Sequence, residues 1–306
     1  MFFSVFSLDF VSFTTAQPTL GTCTDTFVVG GSISSAPIIC GDNTGQHMYL
    51  DVTSSAITPT DIQLMFHFAA GTSVTRGWNI KIAMLPCGAS YLAPTDCLQY
   101  FTSAAGRVRS FNWQDVAGSA AARQLNNQNY NICFRTELVS SQRATQMCVS
   151  ICQVTNGGDS FFITTVAPAA ADTTAPQAAA ASTYSAVGAT NAAGTSAVCL
   201  YDFLLIAGAR DANGVEADRY CGGALNPAPL GGAAVTPLTA AVPAGGSSTS
   251  TQVCTPVRPF KMTFRTDNTE AAVVVNAPTA PVAATADVGI TGLNGNTGFC
   301  LDFQER

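Results

Sequence analysis

Eleven cysteines are spread along 306 residues that contain only two histidines, His47 and His67. Zinc sites would need histidines or close cysteine pairs to complete them, whereas a disulfide framework needs cysteines alone and persists outside the reducing cytosol. The chain therefore reads as secreted and cross-linked. The odd count leaves one thiol without a partner inside the sequence. Residues 199–223, CLYDFLLIAGARDANGVEADRYCGG, show what the cysteines do locally, because Cys199 and Cys221 enclose one apolar run and its polar loop. If these two cysteines pair, closing a loop of this length contributes roughly 3 kcal/mol.

Runs of β-branched and aromatic residues bounded by Gly, Pro, Asn and Ser recur along the chain: QHMYLDV, DIQLMFHF, WNIKIAML, NYNICFRTE, SFFITTV, YDFLLI, FKMTFRT and GFCLDF. Helical periodicity is scarce. The pattern predicts an all-β chain, and 47% hydrophobic residues suffice for a core. Three tracts rich in Ala, Gly, Pro, Ser and Thr, at about 167–197, 226–252 and 271–292, read as low-complexity insertions in loops.

Charge narrows the partners. Only 10% of residues are charged, the net charge is -6, and the 13 Lys and Arg are scattered, so nothing offers phosphates a basic footprint. No nucleic-acid partner is expected. No apolar run approaches the roughly 20 residues of a membrane-spanning helix. The N-terminal MFFSVFSLDFVSFTTAQ lacks a basic leader and carries Asp9 in its apolar stretch, unlike a signal peptide.

The runs also repeat. GTCTDTFVVGG, closed by Cys40-Gly41, parallels CLYDFLLI, closed by Cys221-Gly222; QLMFHFA at 63–69 parallels KMTFRTD at 261–267; and RGWNIKI at 76–82 parallels TGFCLDF at 297–303. SLDFVSF at 7–13 precedes the first set as SFFITTV precedes the second.

In order, CLQYFTSAAGRVRSFNW, NYNICFRTE, CLYDFLLIAGA, DRYCGG, KMTFRTD and TGFCLDF resemble the signature segments of the CUB domain. The first of these, with CGDNTGQHMYLDV, resembles secreted arthropod members in particular. The resemblance implies a disulfide-stapled antiparallel β-sandwich, a CUB-type jelly roll. It covers residues 97–306 as a complete domain with the three insertions. Residues 1–86 match only its later half, and 87–96 form a linker. The expectation is that the first unit is N-terminally truncated or docks on the second.

The resemblance also implies the pairs Cys97–Cys133, Cys199–Cys221 and Cys23–Cys40. In GFCLDF, Phe299, Leu301 and Phe303 alternate toward the core, which turns Cys300 outward within reach of Cys254. The pairing of Cys87, Cys148 and Cys152 stays open. If 148–152 is extended, its two cysteines stand about 13 Å apart and need separate partners or an intervening turn.

Many CUB domains hold Ca²⁺, and the resemblance carries that role to Asp202 and Asp267, with Asn268 able to add an amide oxygen. The glutamate that such sites place before the third cysteine has no counterpart, since 167–198 offers only Asp172. In the first copy Asp25 stands one position out of register and Ala69 replaces the second aspartate, so calcium is not expected there.

Other chemistry is weaker. In GGDSFF, residues 157–162, Phe161 and Phe162 replace the glycines that would shape an oxyanion hole, leaving a polar turn that enters a strand. His67 alternates with Phe66 and Phe68 and reads as an outward residue, and neither it nor His47 has an acidic neighbour to orient it as a base. Arg107, Arg109, Trp113 and Arg123 read as a solvated strand edge. No catalytic residues are expected. The reading is a non-catalytic extracellular module that binds a protein or glycan; a matrix, cuticle or cement component and the accessory region of a larger secreted protease are the alternatives.

Overall fold

The computed structural model describes residues 3–52, 61–71, 74–89, 91–117, 123–135, 143–163, 184–185, 199, 201–212, 214, 216–221, 225, 250–268 and 297–306. The protein is all-β, with no helix among the described residues. Its strands are β1 (Phe3–Thr14), β2 (Thr26–Gly30), β3 (His47–Asp51), β4 (Gln63–His67), β5 (Gly77–Pro86), β6 (Cys97–Phe101), β7 (Ala105–Arg109), β8 (Asn129–Phe134), β9 (Met147–Ile151), β10 (Phe161–Phe162), β11 (Tyr184–Ser185), β12 (Phe203–Arg210), β13 (Glu216–Tyr220), β14 (Val253–Thr255), β15 (Lys261–Arg265) and β16 (Gly298–Glu305). The three low-complexity tracts lie outside the described residues, apart from β11 and the approach to β14.

One ladder runs β10-β16-β9-β14-β12-β15-β8-β6, with β7 on the far edge of β16 and β13 beside β12. All its pairings are antiparallel except β6–β8, which is parallel. Alternation along β16 explains why the ladder curls on itself. Phe299, Leu301 and Phe303 point inward and are buried, where Phe299 meets Phe264 of β15 edge-on at 5.1 Å and Phe303 meets Phe134 of β8 at 4.7 Å. The two ends of the ladder thus close over a shared aromatic core, as a β-sandwich requires.

The first 86 residues form a three-stranded sheet, β3-β1-β5, and the two-stranded pair β2-β4. Phe10, Phe13 and Phe27 are buried between them with Phe66 half-buried alongside, the Phe27 and Phe66 rings 4.8 Å apart. This core is continuous with that of the larger ladder. The join itself is polar. Gln99 donates to Gln46 (2.9 Å), the Tyr100 N–H donates to His47 Nε2 (3.1 Å), and Asp42 and Asn43 exchange bonds with Asn112 and Arg123. Arg123 and Trp113 are buried, correcting their reading as a solvated edge, Trp113 against the Cys152–Cys300 bridge. Arg123 is covered where the first segment docks and reaches Asp42 at 2.8 Å. Arg107 is exposed and paired with Asp302.

Ten cysteines form five disulfides: Cys23–Cys40, Cys97–Cys133, Cys148–Cys254, Cys152–Cys300 and Cys199–Cys221. The eleventh, Cys87, is exposed at the end of β5. The expected pair Cys254–Cys300 is corrected. Cys254 lies directly across the ladder from Cys148, on β14 and β9. Cys300, turned away from the aromatic core, is sealed with Cys152 under Trp113 and Val154. Because β9 is extended, Cys148 and Cys152 cannot bond each other and take separate partners.

Candidate functional site

Two aspartates occupy matching corners of the fold. Asp202 stands immediately before β12 and Asp25 immediately before β2. Phe203 of β12 lies opposite Arg265 of β15, and Thr26 of β2 lies opposite His67 of β4. Two residues beyond those partners, Asp267 and Ala69 turn their backbone N–H groups onto Asp202 Oδ1 (2.7 Å) and Asp25 Oδ1 (3.0 Å). The one-residue offset of Asp25 relative to its cysteine disappears in the ladder register, because it is absorbed in the turn between cysteine and strand.

Their second oxygens meet different groups. On Asp25 the Arg76 guanidinium closes a two-pronged ion pair at 2.7 and 3.0 Å, and the Ala16 N–H adds a bond at 2.9 Å. On Asp202 the side-chain donor among the described residues is the neutral amide of Gln124, Nε2 at 2.7 Å. The electrostatic outcome diverges accordingly. The Arg76 hydrogen bonds, outweighing burial and helped by the Ala16 and Ala69 N–H groups, hold Asp25 down to about 2. Burial, reinforced by the neighbouring Asp267 carboxylate, pushes Asp202 up to about 7 against the Asp267 N–H, Gln124 and Arg265.

A depressed pKa gives stability that is present above the ordinary value of 3.8 and lost as pH falls through about 2. Arg76→Met is therefore expected to move the acid-unfolding midpoint upward, as followed by circular dichroism. An unchanged midpoint would mean that the backbone donors alone hold the Asp25 carboxylate.

Asp202, Asp267 and Asn268 share one corner, where the Asn268 carbonyl accepts from Asn126 (3.2 Å). Their fit to Ca²⁺, which takes six to eight oxygens, is poor. Both Asp202 oxygens already accept hydrogen bonds, one of them from an amide nitrogen that would have to turn away. Asp172 lies outside the described residues, and among those described no group of three or more His, Cys, Asp or Glu is arranged to hold a metal.

Most of the remaining polar candidates make contacts within the fold. His47 packs against Phe101 and Tyr49 and accepts from the chain at Tyr100, and burial lowers its pKa. His67 is exposed. Ser160 is buried and donates to the Cys152 carbonyl at 2.6 Å, while Asp159 Oδ1 receives the Phe161 N–H.

A prominent exposed apolar surface lies on β5 and just after β4. Trp78 stacks on Phe66 at 4.3 Å and on Phe68 at 5.6 Å, with Arg76 over Phe68. Phe68, Trp78, Ile82 and Met84 are 44, 46, 52 and 54% exposed. Sequence alternation marks Trp78, Ile80, Ile82 and Met84 as a core face; nothing local reveals that β5 is an edge strand on which that face overhangs its cover.

The animal CUB domain model matches residues 94–306, more than half of the chain. The protein belongs to the animal CUB domain family. CUB domains are generally non-catalytic modules that bind proteins or other ligands and are typical of extracellular proteins. No curated protein matches the chain.

Proposed function

We propose that this chain is a non-catalytic, extracellular adhesion module that engages its partner through the apolar face of Phe68, Trp78, Ile82 and Met84. The observation that carries this reading is the exposure of four large apolar side chains, three along β5 and Phe68 stacked on Trp78, on a disulfide-stapled scaffold; exposed apolar surface of this kind marks interaction sites on soluble proteins. Trp78 is its anchor, being half exposed and held in place by two stacked rings. The matching aspartate corners and ladder registers support a companion reading of the architecture: residues 1–86 are the later half of a second CUB-like unit, 87–96 a linker, and 97–306 a complete one.

Binding of the protein to panels of immobilised extracellular proteins and glycans is expected to yield a partner whose affinity falls by at least about 30-fold with Trp78→Ala, the loss typical of an interface hot spot. A partner bound equally by wild type and variant would place the binding surface elsewhere. Solubility and monomer state at high concentration separate this reading from a matrix or cement role, in which the protein would assemble on its own.

A further inference from the structure

We infer that β5 receives an extended strand of a separate protein, which pairs antiparallel with its outer edge and carries an acidic residue opposite Lys81. This rests on the binding face proposed above and names the class of partner.

The larger ladder contains the template. β5 pairs with β1 as β16 pairs with β10 and β9: Gly77 and Trp78 face Thr14 and Phe13, as Gly298 and Phe299 face Phe162 and Phe161. Continuing along each strand, Ile80 corresponds to Leu301, Lys81 to Asp302 and Ile82 to Phe303. The outer edge of β16 is filled by β7, with Val108 opposite Leu301, Arg107 opposite Asp302 and Gly106 opposite Phe303. The outer edge of β5 has no strand on it among the described residues. The core-side residues tell the same story, since Phe299 and Phe303 are buried whereas Trp78 and Ile82 are about half exposed. A ten-residue apolar edge with open backbone groups is a template for strand addition.

Charge selects the occupant. Across the β16–β7 pair, Arg107 and Asp302 form a two-pronged bond at 2.7 and 3.1 Å. At the matching place β5 carries Lys81, whose neighbour on β1 is Asp9. Lys81 thus has a carboxylate on its β1 side only, and an Asp or Glu on the incoming strand adds one on its open side, whereas β5 holds no acidic residue with which a second copy of itself could do so. Size selects too. A side chain at Gly106 would meet the Phe303 ring at 3.0 Å, but the smaller Ile82 leaves room for an apolar residue on the added strand.

The probe is a synthetic peptide copying residues 103–110 with Gly106→Val and Arg107→Glu, compared with the same peptide retaining Arg107. On the full chain, the Glu peptide is expected to bind about fivefold more tightly, to slow hydrogen exchange at alternate amides of β5, and to lose both effects with Trp78→Ala. Lys81→Glu, an exposed change on the outer face, should reverse the preference between the two peptides. No binding at millimolar peptide, or a preference indifferent to residue 81, overturns the inference. So does protection of β5 in a dimer of the chain alone, which would assign the edge to a second copy, or in a longer form of the chain that supplies the earlier half of the first unit, which would assign it to the chain's own strand. If the peptides fail while Trp78→Ala still abolishes binding to a partner from the panels, strand addition falls and the apolar face stands as the binding site.

Discussion

Replacing Cys152 and Cys300 together by alanine is expected to lower the unfolding free energy by about 5 kcal/mol, against about 3 kcal/mol for the same change at Cys199 and Cys221. The difference comes from the unfolded chain. Cys152–Cys300 closes a separation of 148 residues and Cys148–Cys254 one of 106, while Cys199–Cys221 closes only 22. Longer loops surrender more entropy on closure. Both long staples also anchor β9 between β14 and β16, so their loss frees the strands that bring the low-complexity tracts back to the core. Equilibrium urea unfolding of the two double variants decides the order, with non-reducing peptide mapping confirming that Cys152 and Cys300 travel together. The reverse order would show that loop closure does not set the cost, and that Cys199–Cys221, buried in the main core, contributes more in the folded state.

The strands of this fold were legible because each apolar run alternates or is bounded by turn residues, and the ordered cysteine, Tyr-Asp and Gly-aromatic segments point to the CUB sandwich. What stayed hidden was decided by contacts between distant residues. Alternation along β16 shows that Cys300 faces away from the aromatic core, but not which neighbouring strand lies beside it; β14 is three residues long and abuts a low-complexity tract, so its place across from β9 leaves no local mark. Arg123 reads as a surface residue until Asp42, 81 positions away, is brought onto it. Arg76 opens the repeat segment RGWNIKI, where its counterpart is Thr297, and nothing in that run marks it as the partner of a carboxylate. It becomes identifiable only once the ladder aligns Asp25 with Asp202 and a cation is seen on one carboxylate where a neutral amide meets the other. The exposure of Trp78, likewise, follows from β5 being last in its sheet, a property of topology and not of the run WNIKIAML.

The difference between the two corners makes Asp202 the source of the largest pH effect expected of this protein. Asp202 is buried, its carboxyl is bonded to an amide and a backbone N–H, and no guanidinium closes on it as Arg76 closes on Asp25. Since its pKa is raised from 3.8 to about 7 by burial, the folded state favours the protonated acid. The stability this contributes is fully present below about pH 4 and is lost as pH climbs through 7, a change of about 4 kcal/mol for a shift of this size. Asp25 runs in the opposite sense and over a lower range, losing its contribution only toward pH 2. Asp202→Asn keeps an acceptor for the Asp267 N–H and offers an amide to Gln124 once that side chain turns. The variant is therefore expected to match wild type near pH 4 and to exceed it by several kcal/mol at pH 8, measured as urea unfolding across the range. A variant less stable than wild type at pH 8, combined with a wild-type melting temperature that rises with Ca²⁺ and falls with chelator, would overturn this account and make Asp202, Asp267 and Asn268 ligands of a cation that holds the carboxylate charged.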